Sequence, residues 1–285
     1  MAKIKLKNRK ALVVYNKNDF DKNKHFAQAL VDELNKKKLV GHILLLDDET
    51  ADHKHIKNVE LIINRSRRID FLTKHNFLNS FLINPQNIVL VANDKYETYR
   101  WLKQHKFLTV DTTIFDPKKI KTFPIVIKKR DSYGGEDVHL IQNAEEIKQL
   151  PIQNPNEWIV QPFLSIGKVE YRAYILFGKV LKTIRRTASG DDFRANYSQN
   201  AAVDLFKLKW YIKHKIKRIA KKLGHGYYAI DFFLNKYNRI VVNEIEDAAG
   251  ARALTKMCPD LNLPRVIIKS SLTHFKHHLK RQMIP

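Results

Sequence analysis

The sequence is poor in features that would place a protein quickly. It has one cysteine, Cys258, in 285 residues, which excludes an internal disulfide and fits a reducing, cytoplasmic setting. A catalytic thiol is one reading of Cys258, and a small core residue is the commoner one. No apolar run approaches the ~20 residues of a membrane span; the longest, such as 43–46 and 88–92, are strand-length. The basic N-terminus (Met1-Ala2-Lys3-Ile4-Lys5) has no apolar stretch behind it and does not read as a secretory signal. There is no zinc-finger spacing, no RNA-binding aromatic signature, no internal repeat and no GxxxxGK[ST] phosphate loop. Acids are also scarce: 29 Asp+Glu face 52 Lys+Arg, a net charge of +23. Such a field attracts nucleotides, nucleic acid, anionic membrane or acidic polymers. A lysine-rich composition with solvated surfaces is the alternative. The basic residues are scattered, densest at 36–38, 118–121 and 213–222, the last within a helix predicted over 208–223.

What is present is pattern. About the first 90 residues alternate strand and helix. Strands are predicted at 11–15, 43–46, 59–63 and 88–91, and Phe26, Leu30 and Leu34 with Ala27 and Val31 make a helical stripe. This predicts a small α/β domain with a parallel sheet. Ligands of such sheets bind beyond the carboxyl ends of strands. Asn64, Arg65, Ser66 and Arg67 follow the third strand, and Arg65 is taken as the candidate for an anionic substrate group, a charged turn being the alternative. Asp94 followed by Glu97 reads as a capping box. Lys95 then falls in the first helical turn, where a cation opposes the helix dipole, so it either has another task or points to solvent.

In the middle of the chain a strand at 123–128 ends in Lys128. A polar loop at 130–137 holds Gly134 and Gly135, and a strand follows at 138–141. Strand, glycine loop, strand can fold backbone N–H groups over phosphates, although any tight turn uses glycine. The strand at 157–163 closes on Gln161, Pro162 and Phe163, the proline marking an edge or an exit. A hairpin is predicted from 169–176 and 179–184, turning at Phe177-Gly178.

The strongest local signal is a second hairpin, 227–234 and 239–246, with turn residues at 235–238. A four-residue turn pairs Leu234 with Arg239 and Asp231 with Val242, and puts Glu244 and Glu246 on the face of Asp231. Each acid pair at about 4 Å costs roughly 1 kcal/mol in water and about 4 kcal/mol at an effective dielectric of 20. A cation should offset this, and hard oxygen ligands favour Mg²⁺ or Mn²⁺. A solvated strand face is the other reading. His274 and His278 share a helical face but lack the Glu of HExxH and are read as surface residues. The tail 274–281 is a further place to meet an acidic acceptor or anionic lipid.

In their order these parts resemble the ATP-grasp superfamily, and most closely its RimK-like ligases, which add glutamate to a ribosomal-protein tail. The most specific stretches are Phe123-Pro-Ile-Val-Ile-Lys128, Asp192-Phe-Arg-Ala-Asn196, Ile230-Asp231 and Asn243-Glu-Ile-Glu-Asp-Ala-Ala-Gly250. The resemblance covers about residue 93 to the end. It implies an α/β (α+β) protein in which an α/β pre-ATP-grasp domain (1–92) precedes a two-subdomain ATP-grasp domain (93–285), with about 120–163 as the mobile ATP-clamping part.

The resemblance further implies that Lys95 and Lys128 contact ATP phosphates, that Gly134 and Gly135 close over them, and that Gln161, Pro162 and Phe163 meet adenine. It makes Asp231, Glu244 and Glu246 metal ligands, although Glu246 stands where the family usually has asparagine. Arg172, Arg194 and Asn196 fall near the transferred phosphate and acyl group. Arg252, in a run that departs from the family pattern, is a candidate clamp for a substrate carboxylate or a partner of Asp247. The implied activity is ATP- and Mg²⁺-dependent ligation of a carboxylate to an amine through an acyl phosphate. The amine belongs to an amino acid, peptide or protein tail. A ligase for free amino acids or small peptides, and a non-catalytic nucleotide-regulated protein that binds RNA or an acidic partner, are the alternatives. Relatives are often dimers or tetramers, so a homo-oligomer is expected as an option.

Overall fold

The computed structural model describes residues 4–47, 56–134, 137–188 and 202–283. The chain opens with β1 (Lys10–Tyr15), α1 (Lys17–Lys36), β2 (Val40–Leu45), β3 (Val59–Asn64), α2 (Phe71–Lys74) and β4 (Phe81–Ile83). The four strands form a parallel sheet in the order β2-β1-β3-β4. Asn16 caps α1 by accepting from the Asp19 amide at 2.7 Å. The expected stripe Ala27, Leu30, Val31 and Leu34 is buried, in one cluster with Ala11 and Val13 of β1.

The strand expected at 88–91 is not one. Those residues lie in a helix, α3 (Gln86–Ala92), which starts directly after Pro85. Ile88 and Val89 are buried while Leu90 is exposed, as expected when a one-sided contact selects among consecutive apolar residues. The fourth strand, β4, is three residues long, too short to leave a period in the sequence.

After α4 (Lys95–Gln104) come β5 (Thr113–Ile114), β6 (Ile125–Lys129), β7 (Val138–Ile141), α5 (Ala144–Ile147) and β8 (Trp158–Pro162). They build an antiparallel sheet ordered β5-β8-β6-β7. Next are β9 (Val169–Leu176), β10 (Lys179–Thr187), β11 (Ala202–Leu205), α6 (Trp210–Leu223), β12 (Tyr227–Leu234) and β13 (Ile240–Glu246). Their strands form a five-stranded sheet ordered β11-β10-β9-β12-β13. Two helices, α7 (Arg252–Met257) and α8 (Leu263–Gln282), end the fold. The chain thus crosses from the third sheet's neighbourhood to the second between α4 and β5, and returns between β8 and β9. Both crossings meet one small cluster of Val110, Phe233 and Val241, with Leu164 and Ile166 against it.

One face of the five-stranded sheet presents Ala173, Ile175, Tyr228, Ile230 and Phe232 to Ile212, Ile216 and Ile219 of α6. Each buried isoleucine contributes roughly 1.5–3 kcal/mol. Strand alternation therefore sends Arg172, Asp231 and Glu244 to the other face. No helix among the described residues is long and apolar enough to cross a membrane. Cys258 is partly buried against the main core. His274 and His278 are not simply surface residues: they stack on Phe177 and Phe81, at centroid distances of 3.9 and 4.9 Å.

The parallel sheet is fastened to the five-stranded sheet by Asn84, the residue after β4. Its buried amide donates to the carbonyls of Tyr227 (2.9 Å) and Asp247 (2.7 Å) and accepts from the Tyr227 amide (2.7 Å). Gly226 makes room: a Cβ there would come within 2.2 Å of Asn84 Oδ1. Replacing Asn84 by Ala strands three backbone groups and is expected to cost about 2–4 kcal/mol, with Gly226→Ala costing a similar amount by displacing the same side chain. Urea unfolding checks this, and an unchanged midpoint in both variants would dismiss the joint as a stabilising element.

Candidate active site

The acidic hairpin forms, but its register differs from the simple expectation. The loop is one residue longer, 235–239, because Asn235 Oδ1 accepts from the amides of both Tyr237 and Arg239 at 3.0 Å. Leu234 therefore pairs with Ile240. On its own this shift would turn the acids to the wrong face. A bulge restores them: Phe232 pairs with Val242, Asp231 pairs with Glu244, and Asn243 is the extra residue.

Cross-strand pairs then run across the sheet on that one face. Arg186 of β10 is opposite Glu170 of β9, Arg172 of β9 is opposite Asp231 of β12, and Asp231 is opposite Glu244 of β13. Asp231 is fully buried. Its Oδ1 accepts from Arg172 Nε at 2.8 Å, and its Oδ2 accepts at 2.7 Å from terminal nitrogens of both Arg172 and Arg186. Arg186 also bonds Glu170. Arg172 reaches Glu246 at 2.7 Å. Burial works against the charge of Asp231, but the two guanidiniums outweigh it and hold its carboxyl below the ordinary range. Glu170 goes the other way: burial raises it, Arg186 only partly opposing, with Asp231 and Glu244 adding to the rise.

Across the cleft stands the glycine loop. Lys95 Nζ donates to the carbonyls of Lys129 (3.0 Å) and Ser132 and to Ser132 Oγ (3.3 Å), so α4 holds the start of this loop. Asp94 is the cap expected, accepting from the amides of Tyr96 and Glu97, and it also accepts from Arg130 Nε at 3.1 Å. Gly134 has φ +75° with open space where a side chain would be. Lys128 donates to Asn243 Oδ1 at 3.2 Å, and Asn243 donates in turn to Glu170 at 2.7 Å. Burial lowers both lysines, Lys95 to about 8.

These parts surround a cleft, open at its mouth, lined among others by Lys95, Gly134, Arg172, Glu244, Glu246 and Arg252. Arg252 is exposed. Gln161, Pro162 and Phe163 lie elsewhere. Pro162 pairs with Ile125 at one end of β6, and the glycine loop leaves Lys129 at the other, about 13 Å away for four residue steps. Gln161 is buried and donates to Thr112 Oγ1 at 2.9 Å. Gly135, Arg194 and Asn196 lie outside the described residues.

Arg65 is a correction. It is 4% exposed, donates to the Ala249 carbonyl at 2.8 Å and sits between the rings of Phe26 and Tyr227, so it holds the turn after β13 and does not face a ligand. Arg67 is the cleft residue. Its positive φ of 61° turns it away from the sheet. Its guanidinium donates to Asp19 (3.1 Å), pairs with Glu246 (3.4 Å) and lies 3.9 Å from the Tyr133 ring centroid. Sequence reasoning also missed Arg186, whose strand it ended at 184 when β10 continues to Thr187.

The donor set decides what cation the cleft suits. Among the described residues no group of three or more His, Cys, Asp or Glu is arranged to hold a metal. Asp231, expected as a ligand, has both oxygens taken by arginines, whereas Glu244 and Glu246 line the cleft. Two carboxylates complemented by phosphate oxygens suit a Mg²⁺-sized ion.

Were Lys95 to meet ATP phosphates, as the resemblance implies, its lowered pKa would give a signed pH effect. Phosphates placed against Lys95 favour its charged form, so nucleotide binding near pH 8.5 should take up a proton, and affinity should fall as pH rises through about 8. Calorimetric titration of ATP in two buffers of different ionisation enthalpy measures the uptake. Lys95→Arg, charged throughout, should abolish it, and an equal uptake in that variant would assign the proton to another group.

The RimK-like ATP-grasp domain family matches residues 84–270. The chain is 60% identical over 286 residues to the Mycoplasma genitalium protein MG011, with 100% of each covered. It is 23% identical over 221 residues to the probable alpha-L-glutamate ligase of Rhodopirellula baltica, spanning 69% of this chain and 54% of that one. Its fold is similar to that of the D-alanine–D-alanine ligase of Bacillus anthracis complexed with ATP, at a TM-score of 0.72 and 13% identity over 95% of this chain and 99% of that one. It is also similar to the RimK domain ATP-grasp protein of Sphaerobacter thermophilus, at a TM-score of 0.66 and 14% identity over 92% and 99%. With the family match spanning the glycine loop, the arginine strands and the acidic hairpin alike, the chain belongs to the RimK-like ATP-grasp family of ATP-dependent ligases.

Proposed function

We propose that this protein joins a carboxylate to an amine through an acyl phosphate, in the cleft between the glycine loop and the acidic face of the five-stranded sheet. The observation that carries the reading is that Lys95 and Gly134 line one cleft with Glu244, Glu246 and Arg172, with Lys128 bonded to Asn243 next to Glu244. The lysines and loop amides hold the ATP phosphates, and the segment from Gln161 to Phe163, at the far end of β6, receives the adenine. Glu244 and Glu246 would hold Mg²⁺, which when bound neutralises phosphate charge.

The chemistry has two steps. A substrate carboxylate oxygen attacks the γ-phosphorus, forming a C–O–P linkage and releasing ADP. The amine nitrogen then attacks the acyl carbon, the C–O bond to phosphate breaks, and the amine loses a proton as phosphate departs. Lys95 and Lys128 lie where negative charge moves in the first step, and Arg172 where it gathers in the second. Water would hydrolyse the acyl phosphate, so a loop fastened across the cleft protects it. Arg67 and Arg252 add positive charge beside Glu246, which supports a donor or acceptor with a further carboxylate. The probable alpha-L-glutamate ligase among its relatives makes glutamate the first amino acid to try.

Phosphate release from ATP and Mg²⁺ tests this, screened over amino acids, dipeptides and acidic peptides. Release should depend on one carboxylate and one amine and fall about 100-fold or more in Lys128→Ala. Turnover that survives in that variant would sink the proposal. ATP binding without stimulated release by any pool would favour a nucleotide-regulated binding protein.

A further inference from the structure

On the opposite face of the five-stranded sheet from the cleft lies a surface that ligation does not use. Between Lys207 and Lys222 the chain has seven lysines and one arginine, and no acid occurs from Leu205 to Ile230. All eight cations are exposed. Elsewhere the protein neutralises helix cations locally: Lys17 with Asp21 and Lys36 with Glu33 on α1, Arg100 with Glu97 on α4, Lys148 beside Glu145 of α5. No such pair involves the α6 cations among the described residues. α8 also lacks acids but spreads five cations over 20 residues.

The arrangement works against the helix itself. α6 has no side-chain cap and no acid in its first turn. Lys213 with Lys217, Lys217 with Lys221 and Arg218 with Lys222 are like-charge i,i+4 pairs, each destabilising by a small amount. Opposite the buried stripe of Ile212, Ile216, Ile219 and Leu223, the outermost face carries Trp210, His214, Lys217, Arg218 and Lys221. Trp210 is 81% exposed, the most exposed of the large apolar side chains among the described residues.

We infer that this face of α6 binds single-stranded nucleic acid. The helix is about 21 Å long, so its charges track several successive phosphates, and Trp210 gives a base a flat surface to stack on. A protein partner fits less well. Interface cores are depleted in lysine and built on apolar anchors, whereas seven of these eight cations are lysines and the single large aromatic stands at the end of the row. Lysine serves phosphate as a point charge. The inference does not depend on the ligase reading, since α6 and the cleft lie on opposite faces of the sheet.

The test is fluorescence anisotropy of a labelled 20-nucleotide single-stranded RNA from 50 to 300 mM KCl, with a labelled 20-residue polyglutamate peptide as the second probe. The triple variant Lys217→Gln, Arg218→Gln, Lys221→Gln keeps helix-forming side chains. It should flatten the log–log salt slope by about 2 and weaken RNA binding at least 10-fold at 100 mM salt. Trp210→Ala should weaken binding roughly 5-fold or more with the slope unchanged. Thermal midpoints of the variants should not fall below the parent's, the triple variant gaining slightly from the lost like-charge pairs, which keeps misfolding distinguishable. RNA binding with unchanged affinity and slope in the triple variant overturns the inference. So does polyglutamate binding that exceeds RNA binding and is lost in the same variant, an outcome that assigns the face to an acidic protein.

Discussion

A carboxylate with no solvent contact, Asp231, is held between two guanidiniums at the centre of the five-stranded sheet, and the rest of the site depends on that arrangement. Removing one member of such a buried group typically costs 3–5 kcal/mol, because the remainder is left uncompensated. Here the consequences spread further than stability. Arg172 spans Asp231 and Glu246, Glu246 meets Arg67, and Arg67 lies against Asp19 at the start of α1 and the ring of Tyr133 in the glycine loop. Arg186 carries the same order through Glu170 and Asn243 to Lys128. One network of ion pairs thus touches all three sheets and both sides of the cleft.

The same network explains the departure at Glu246. The resemblance implies an asparagine there in most of the family, and a third carboxylate beside Asp231 and Glu244 would be costly alone. Arg172 and Arg67 supply the compensation. Glu246 is therefore at once a wall of the cleft and a link between the first sheet and the third. Asp231, neutralised by both arginines, offers a ligand no free oxygen.

Much of this was legible in the sequence, for identifiable reasons. The turns at Phe177-Gly178 and at 235–238 marked the two hairpins of the five-stranded sheet, its fifth strand β11 going unread, and Asp94 with Glu97 marked the start of α4. The acids of β12 and β13 fell on one face as expected, but through two departures that cancel: a longer turn made by Asn235 and a bulge at Asn243, neither of which has a sequence signature. Ile88 to Val91 read as a strand because β-branched runs suit both a sheet and a buried helix turn, and only Pro85 spoke for the helix. Arg65 and Arg67 could not be separated from spacing, because a positive φ at Arg67 decides which one reaches the cleft. Asn84 left no trace except the glycine at 226 that accommodates it.

The two chain crossings near Val110 and Leu164 have a mechanical consequence. They lie side by side on one apolar cluster, and the first is also tied to β13 by hydrogen bonds of Leu108 and Val110 with Val242. Two adjacent covalent straps behave like the paired leaves of a door: they permit swinging about the line that joins them and resist twisting or sliding. Such a mounting would give the second sheet one soft degree of freedom with respect to the third. The glycine loop sits at the far edge of that door, about 13 Å along β6 from Pro162, where Lys95 and Arg67 hold it, so a swing of about 10° would carry it about 2 Å against those contacts. That would be the difference between a made and a broken hydrogen bond, with three buried apolar side chains at the pivot.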